Sequence, residues 1–140
     1  MNKYKIIYGD PAWLYRRPMK AVPYPMMDTE SLKQIPVRDI ADKDCVLFIW
    51  ITHPKLDEVF EVIDAWGFRY TTNGFTWVKT YKNGRLFFGL GHYTRANSEL
   101  CLLATKGDIH KYIKSKKVYK AQFNVSGDIA EILGDKYPDT

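Results

Sequence analysis

The run "CVLFIWI", Cys45 to Ile51, constrains this chain more than any other stretch. Seven consecutive apolar residues are too few for a helix of ordinary length. They suit a strand buried on both faces, as in the middle of a parallel sheet. The segment that follows, "HPKLDEVFEVIDAWG", has a different period. Leu56, Val59, Phe60, Ile63 and Trp66 recur at helical spacing on one face. Pro54 sits in the first turn, and Gly67 stands where a helix closes on a left-handed residue.

The remaining elements continue the alternation. "KYKIIYG" predicts a short strand, and residues 10–27 carry Pro11, Pro18, Pro23 and Pro25, which exclude helix. "DTESLKQI" predicts a short helix capped by Asp28 or Thr29. "FRYTTNGFTWVKT" and "ELCLLATKG" predict strands, and "GDIAEILGDKY" a last short helix. Strands alternating with helices predict an α/β fold with a mostly parallel sheet and helices on both faces. In such sheets ligands bind beyond the carboxyl ends of the strands, where Asp10 falls.

Composition narrows the class. At 140 residues the chain is read as a single domain, 1–140, and a hydrophobic fraction of 46% separates it from disordered chains. No apolar run approaches the roughly 20 residues of a membrane span, and "MNKYKII" is too short for a signal peptide, so a cytoplasmic protein is expected. Cys45 and Cys101 fall in buried strands and read as reduced core thiols. His53, His92 and His110 are scattered, so no metal site is expected. The net charge of +5 is local. "KGDIHKYIKSKKVYK" holds Lys106, Lys111, Lys114, Lys116, Lys117 and Lys120 against Asp108 alone. Two readings stand for it, a solvated loop or a surface facing nucleic-acid phosphates, with Lys114, Lys116 and Lys117 as the contacts.

"YGDPAW" ends the first strand with chemistry that a turn does not need. An exocyclic amine on a nucleobase is a poor nucleophile, because its lone pair is delocalised into the ring. A carboxylate and a backbone carbonyl, each accepting one N–H, draw that nitrogen towards tetrahedral geometry. An aromatic ring stacked on the base holds the angle of attack. Asp10, the Pro11 carbonyl and the Trp13 indole supply these functions within four residues, by positioning and preorganised hydrogen bonds.

Asp10-Pro11-Ala12-Trp13 resembles the Asp-Pro-Pro-Trp signature of the MT-A seventy-kilodalton-subunit family of adenine-N6 methyltransferases. Three further blocks follow in the family's order. "VPYPMMDTESLKQIPV" is similar to its Tyr-x-x-Met segment, and "DCVLFIWITHPKLDEVFEVIDAWGFRY" to its Leu-Phe-x-Trp strand and following helix. "FTWVKT" with "GLGHYTRANSELCLLATKG" is similar to its Trp-Val-Lys and Gly-x-Gly-x-x-x-Arg-x-x-x-Glu blocks. The resemblance implies a Rossmann-like three-layer sandwich and S-adenosyl-L-methionine as cofactor. It also implies transfer of a methyl group to adenine N6 in nucleic acid, DNA favoured over RNA. The catalytic loop would be Asp10, Pro11, Ala12 and Trp13, with Trp13 stacked on the base. Tyr24, His92, Tyr93, Arg95, Asn97 and Glu99 would line the substrate cleft. Asp10 and Lys79 would face the cofactor.

Plainer readings stand beside these. Trp13 as a core aromatic, Tyr24 as loop packing, Arg95 with Glu99 as a surface ion pair, and Lys79 as a strand end all remain open at this point. Ala12 replaces the signature's second proline, at a cost of about 0.4–1 kcal/mol of loop rigidity. The family's Lys-Pro pair is replaced by "NVSGD". The chain stops at "YPDT", where the family's Glu-Leu-Phe-Ala-Arg strand would begin, so the sheet is expected to lack its final C-terminal strand. An unpaired edge of that kind invites a homo- or hetero-dimer. The alternative function is a catalytically inactive member that binds nucleic acid or serves as a partner subunit.

Overall fold

The computed structural model describes residues 2–15, 25–89, 91 and 93–110, and the backbone of 122–124. Five strands, β1 (Tyr4–Gly9), β2 (Ala41–Ile51), β3 (Arg69–Val78), β4 (Ser98–Lys106) and β5 (Gln122–Asn124), form one sheet. Their order across it is β1-β2-β4-β3-β5. Among the described residues there are three α-helices, α1 (Thr29–Lys33), α2 (Val37–Ile40) and α3 (Leu56–Ala65), the last entered through a 3-10 turn at His53–Lys55. No described helix is long and apolar enough to cross a membrane.

The α/β class holds, but the sheet is mostly antiparallel, which corrects the expected mostly parallel one. β1 pairs with β2, and β3 with β5, in parallel; β2 with β4 and β3 with β4 pair antiparallel along the longest ladders. A parallel neighbour requires a crossover of a dozen or more residues, usually a helix. The helix α3 carries the chain from β2 to β3, so these two run the same way, but the described part of the 79–97 connection to β4 contains no helix. β4 therefore runs against the others, and it is inserted between β2 and β3. The apolar runs of β2 and β4 reflect this central position rather than a parallel direction.

The two faces of the sheet differ. On one, Cys45, Leu47, Ile49 and Ile51 of β2 and Leu102 and Ala104 of β4 pack against Leu32, Val37, Val59, Val62, Ile63 and Trp66 from the helical side. On the other, Phe48, Trp50, Phe75, Trp77 and Cys101 form a small aromatic cluster to which no described helix contributes. The expected second helical layer is thus not seen among the described residues, and "GDIAEILGDKY" lies outside them. Cys45 and Cys101 are free and buried.

Local chemistry explains the helix ends. Asp28 caps α1, its Oδ1 accepting from the Ser31 N–H at 2.7 Å. Gly67, at φ +86°, lets its N–H reach the Asp64 carbonyl and the Phe68 N–H reach the Ile63 carbonyl, which ends α3 where the sequence placed its stop. The buried face of α3 is Val59, Val62 and Ile63. Phe60, expected in the core, is exposed and meets Tyr70 edge-on, with ring centroids 5.4 Å apart. Gly107, at φ +73°, turns the chain after β4 so closely that a Cβ would collide with the Lys43 carbonyl and the Asp44 carboxylate. Asp44 Oδ1 accepts the Asp108 N–H there at 2.8 Å. Gly107→Ala is therefore expected to lower stability by roughly 1–3 kcal/mol, read as a fall in the urea midpoint.

Residues 79–88 form a small hairpin between β3 and β4. Thr80 bridges Leu86, and the turn Lys82-Asn83-Gly84 is closed by the Gly84 N–H on the Tyr81 carbonyl. Gly84 supplies the positive φ of +83° that this turn needs. Asn83 Oδ1 holds the Arg85 N–H at 3.0 Å.

Candidate active site

β1 ends at Gly9, and the next four residues fold back over the end of the sheet. The Trp13 N–H donates to the Pro11 carbonyl at 2.9 Å, a tight turn centred on Ala12. The loop is then tied to Met27, whose N–H donates to the Ala12 carbonyl at 2.8 Å and whose carbonyl accepts from Leu14 at 3.0 Å. The Pro11 carbonyl has a second lone pair, so it can still accept from a ligand N–H.

Trp13 is placed differently from the expectation. Its indole is 4% exposed, packs within the helix-side core, and donates Nε1–H to the Trp50 carbonyl at 3.2 Å. This placement matches the plainer reading of Trp13 as a core aromatic. Its role is to anchor the loop to the end of β2.

Asp10 stands where the chain leaves β1, exposed on one side. Partial burial of the carboxyl raises its pKa above the usual carboxylate range, and the negative charge of Glu99 raises it further. No hydrogen bond occupies its carboxylate among the described residues. Cys101 lies near enough to feel the charge of Asp10; burial first and that charge second push its thiol up to about 12, so it stays a neutral thiol.

Glu99 is held by Lys79, Nζ to Oε1 at 3.1 Å, and the Lys79 ammonium lies 4.9 Å from the Trp77 ring centroid. The Lys79 N–H donates to the Asn97 carbonyl at 2.7 Å, which joins the end of β3 to the start of β4. Beneath them Trp77 meets Trp50 edge-on at 6.3 Å, and Trp50 Nε1 donates to the Tyr8 hydroxyl at 2.5 Å. Asp10, Asn97, Glu99 and Lys79 therefore gather at one end of the sheet. Arg95 does not pair with Glu99; its guanidinium lies over the Phe88 ring at 5.3 Å. Tyr93 is fully exposed at φ +65°. Tyr24, His92, Lys114, Lys116 and Lys117 lie outside the described residues.

The coupling of Asp10 to Glu99 has a measurable consequence. A protonated carboxyl is a much weaker acceptor for an amine N–H than a carboxylate. Under a reading in which Asp10 holds a substrate amine, activity should therefore fall as pH drops through the raised Asp10 pKa. Glu99→Gln removes one of the two causes of that rise and leaves the Lys79 cation behind. The acid limb of a pH–rate profile should then move to lower pH. A limb that stays in place would separate Glu99 from Asp10.

Two features escaped sequence reading. One is a hollow of about 380 Å³ beside the loop, lined by Leu14, Tyr15, Asp28, Thr29, Lys55 and Glu58. Tyr15 on its wall shares a hydrogen bond with Thr52 at 2.6 Å, and Lys55 pairs with Glu58 at 2.8 Å. The other is the Lys79–Glu99 pair, whose members lie twenty residues apart with no local signal joining them.

The donor set can be tested against an S-adenosyl-L-methionine site. Asp10 fits it, as an open carboxylate able to accept from an amino group. Lys79 fits it poorly, since its ammonium is engaged by Glu99 and Trp77.

Comparison with known proteins agrees with the motif order. The MT-A70 family model matches residues 4–135. The chain is similar to the type II methyltransferase M.MunI of Mycoplasma sp, 30% identical over 130 residues, covering 77% of this chain and 53% of that protein. It is also similar to the N(6)-adenosine-methyltransferase subunit METTL3 of Danio rerio, 24% identical over 110 residues, covering 77% of this chain and 18% of that protein. The chain thus spans about half the length of the first relative and under a fifth of the second. With its Asp-Pro-x-Trp loop at the end of β1 and the family model matching nearly its whole length, the chain belongs to the MT-A70 family.

Proposed function

We propose that this chain transfers a methyl group from S-adenosyl-L-methionine to the N6 amine of adenine in nucleic acid. The observation that carries the reading is Asp10 beside Pro11: an open carboxylate and a carbonyl with a spare lone pair, adjacent on one anchored loop. Together they accept the two N–H groups of an adenine amine and localise the nitrogen lone pair. The cofactor, when bound, supplies an electrophilic methyl on a sulfonium. Asp10 and the Pro11 carbonyl would hold the two amine N–H groups and keep the nitrogen lone pair free to take up that methyl group.

Family membership and the names of the two methyltransferase relatives support methyl transfer to adenine. DNA is favoured over RNA on the resemblance to the short bacterial and phage members. With Trp13 buried, the base must be held by other surfaces of the cleft. The test is transfer of a radiolabelled methyl to DNA and RNA oligonucleotides with and without adenine. Label in adenine-containing DNA alone is the expected result. Label in oligonucleotides lacking adenine would refute the reading, and so would no label in any of them.

A further inference from the structure

We propose that the hairpin 79–88, with Tyr93 and Arg95, is a platform on which bases flanking the target adenine stack. The inference rests on the adenine-transfer reading for its target. Beyond Lys79, Tyr93 and Arg95, it concerns hairpin side chains, Leu86 and Phe88 above all, to which nothing so far described gives a role.

Three large apolar side chains stand in solvent on this segment: Phe88 at 70%, Leu86 at 62% and Tyr93 at 108% exposure. Single exposed apolar residues are ordinary, but Leu86 and Phe88 stand two apart in the hairpin, and exposed apolar side chains grouped in this way mark an interaction surface. The charge pattern selects the partner. From Thr80 to Asn97 there is no acidic residue, while Lys82, Arg85 and Arg95 are cationic. Arg and aromatic residues are also favoured in protein interfaces, so the selecting feature is the one-signed charge. Cations with no acidic residue among them, interleaved with aromatic rings, are the composition of single-strand nucleic-acid surfaces. The Arg95 guanidinium already lies over the Phe88 ring, so a cation and a π-face are presented together.

Position fits the partner too. Lys79, the first residue of the hairpin, is ion-paired with Glu99, whose charge reaches Asp10. An adenine amine inside a duplex cannot reach Asp10 unless the base leaves the stack. Its neighbours then lose a stacking partner, and apolar side chains inserted beside them compensate. Phe88 and Leu86 are placed for that, while Lys82 and Arg85 near the turn would meet phosphates.

The experiment is fluorescence anisotropy of the full chain with a fluorescein-labelled adenine-containing single strand and its duplex, across a salt series. The double variant Phe88→Ala, Leu86→Ala should lose roughly 5- to 140-fold in affinity with an unchanged salt slope, the worth of one stacked base at about 1–3 kcal/mol. Phe88→Trp, which keeps a ring, should retain binding. Lys82→Ala with Arg85→Ala should flatten the duplex slope by up to about two units, at roughly 0.9 per phosphate. The side chains are exposed, so the variants should melt like wild type. Affinity of the apolar variant within twofold of wild type would overturn the proposal. So would light scattering that shows a wild-type dimer made monomeric by the same variant at unchanged nucleic-acid affinity, since the surface would then be a protein interface. Methyl transfer by wild type with the KM of the hairpin variant unchanged would remove the platform and leave the adenine reading intact. Hairpin-dependent binding without methyl transfer would do the reverse.

Discussion

Trp13→Ala should cost the fold roughly 3–5 kcal/mol, the usual penalty for truncating a buried large aromatic. The indole is 4% exposed and belongs to the core cluster between the strands and the helical layer, where packing is dense. In urea the midpoint should fall by about 1–5 M at ordinary slopes of roughly 1–3 kcal/mol/M for a small domain. Trp13→Phe separates packing from the hydrogen bond. It keeps most of the buried ring and loses only the Nε1 donation to Trp50, worth about 0.5–1.5 kcal/mol. Trp13 also carries the loop, so a shift of about 1 Å at Asp10 would slow transfer by roughly a hundredfold even in molecules that remain folded. A Trp13→Ala protein of wild-type stability with a raised KM for nucleic acid would mean that the ring stacks on the base after all.

Asp10→Ala should show the opposite pattern, with chemistry lost and stability kept. Removing one preorganised hydrogen-bonding group from a reacting centre typically lowers kcat by about 10²–10³, and in the proposed mechanism the carboxylate is half of the pair that activates the amine. The fold does not depend on that charge. The Asp10 pKa is raised in the folded protein, so ionisation is disfavoured by folding, and above that pKa the carboxylate subtracts from stability. The variant should therefore melt at or slightly above the wild-type temperature at neutral pH. A large fall in stability would show that Asp10 holds the loop rather than the substrate.

What the sequence made legible were the features with a local period or a local stop. The continuous apolar run of β2, the Asp28 cap and the Gly67 closure of α3 are each decided by residues within a few positions of one another. The Asp-Pro-x-Trp loop was legible for the same reason, and its place after β1 follows from the strand before it. Strand direction was not. An apolar run such as Leu100 to Ala104 reports burial on two faces, and β4 acquires that by lying between β2 and β3, whichever way it runs. The environment of Trp13 was equally hidden, because the core cluster it joins includes residues far along the chain, such as Leu32, Val59 and Ile63. Phe60 shows the limit of periodicity, since a residue at the flank of a helical stripe meets either the core or a surface neighbour such as Tyr70.

The most direct measurement follows a deuterium-labelled methyl group from S-adenosyl-L-methionine into an adenine-containing duplex. Wild type and Asp10→Asn are compared under single-turnover conditions, and the nucleosides are then identified by mass spectrometry. Asparagine keeps the shape of the side chain but offers one neutral acceptor in place of a carboxylate. The expected result is labelled N6-methyladenine from wild type and at least a hundredfold less from Asp10→Asn. Equal labelling by both proteins, or label on any atom other than adenine N6, would contradict the placement of Asp10 and Pro11 at the reacting amine.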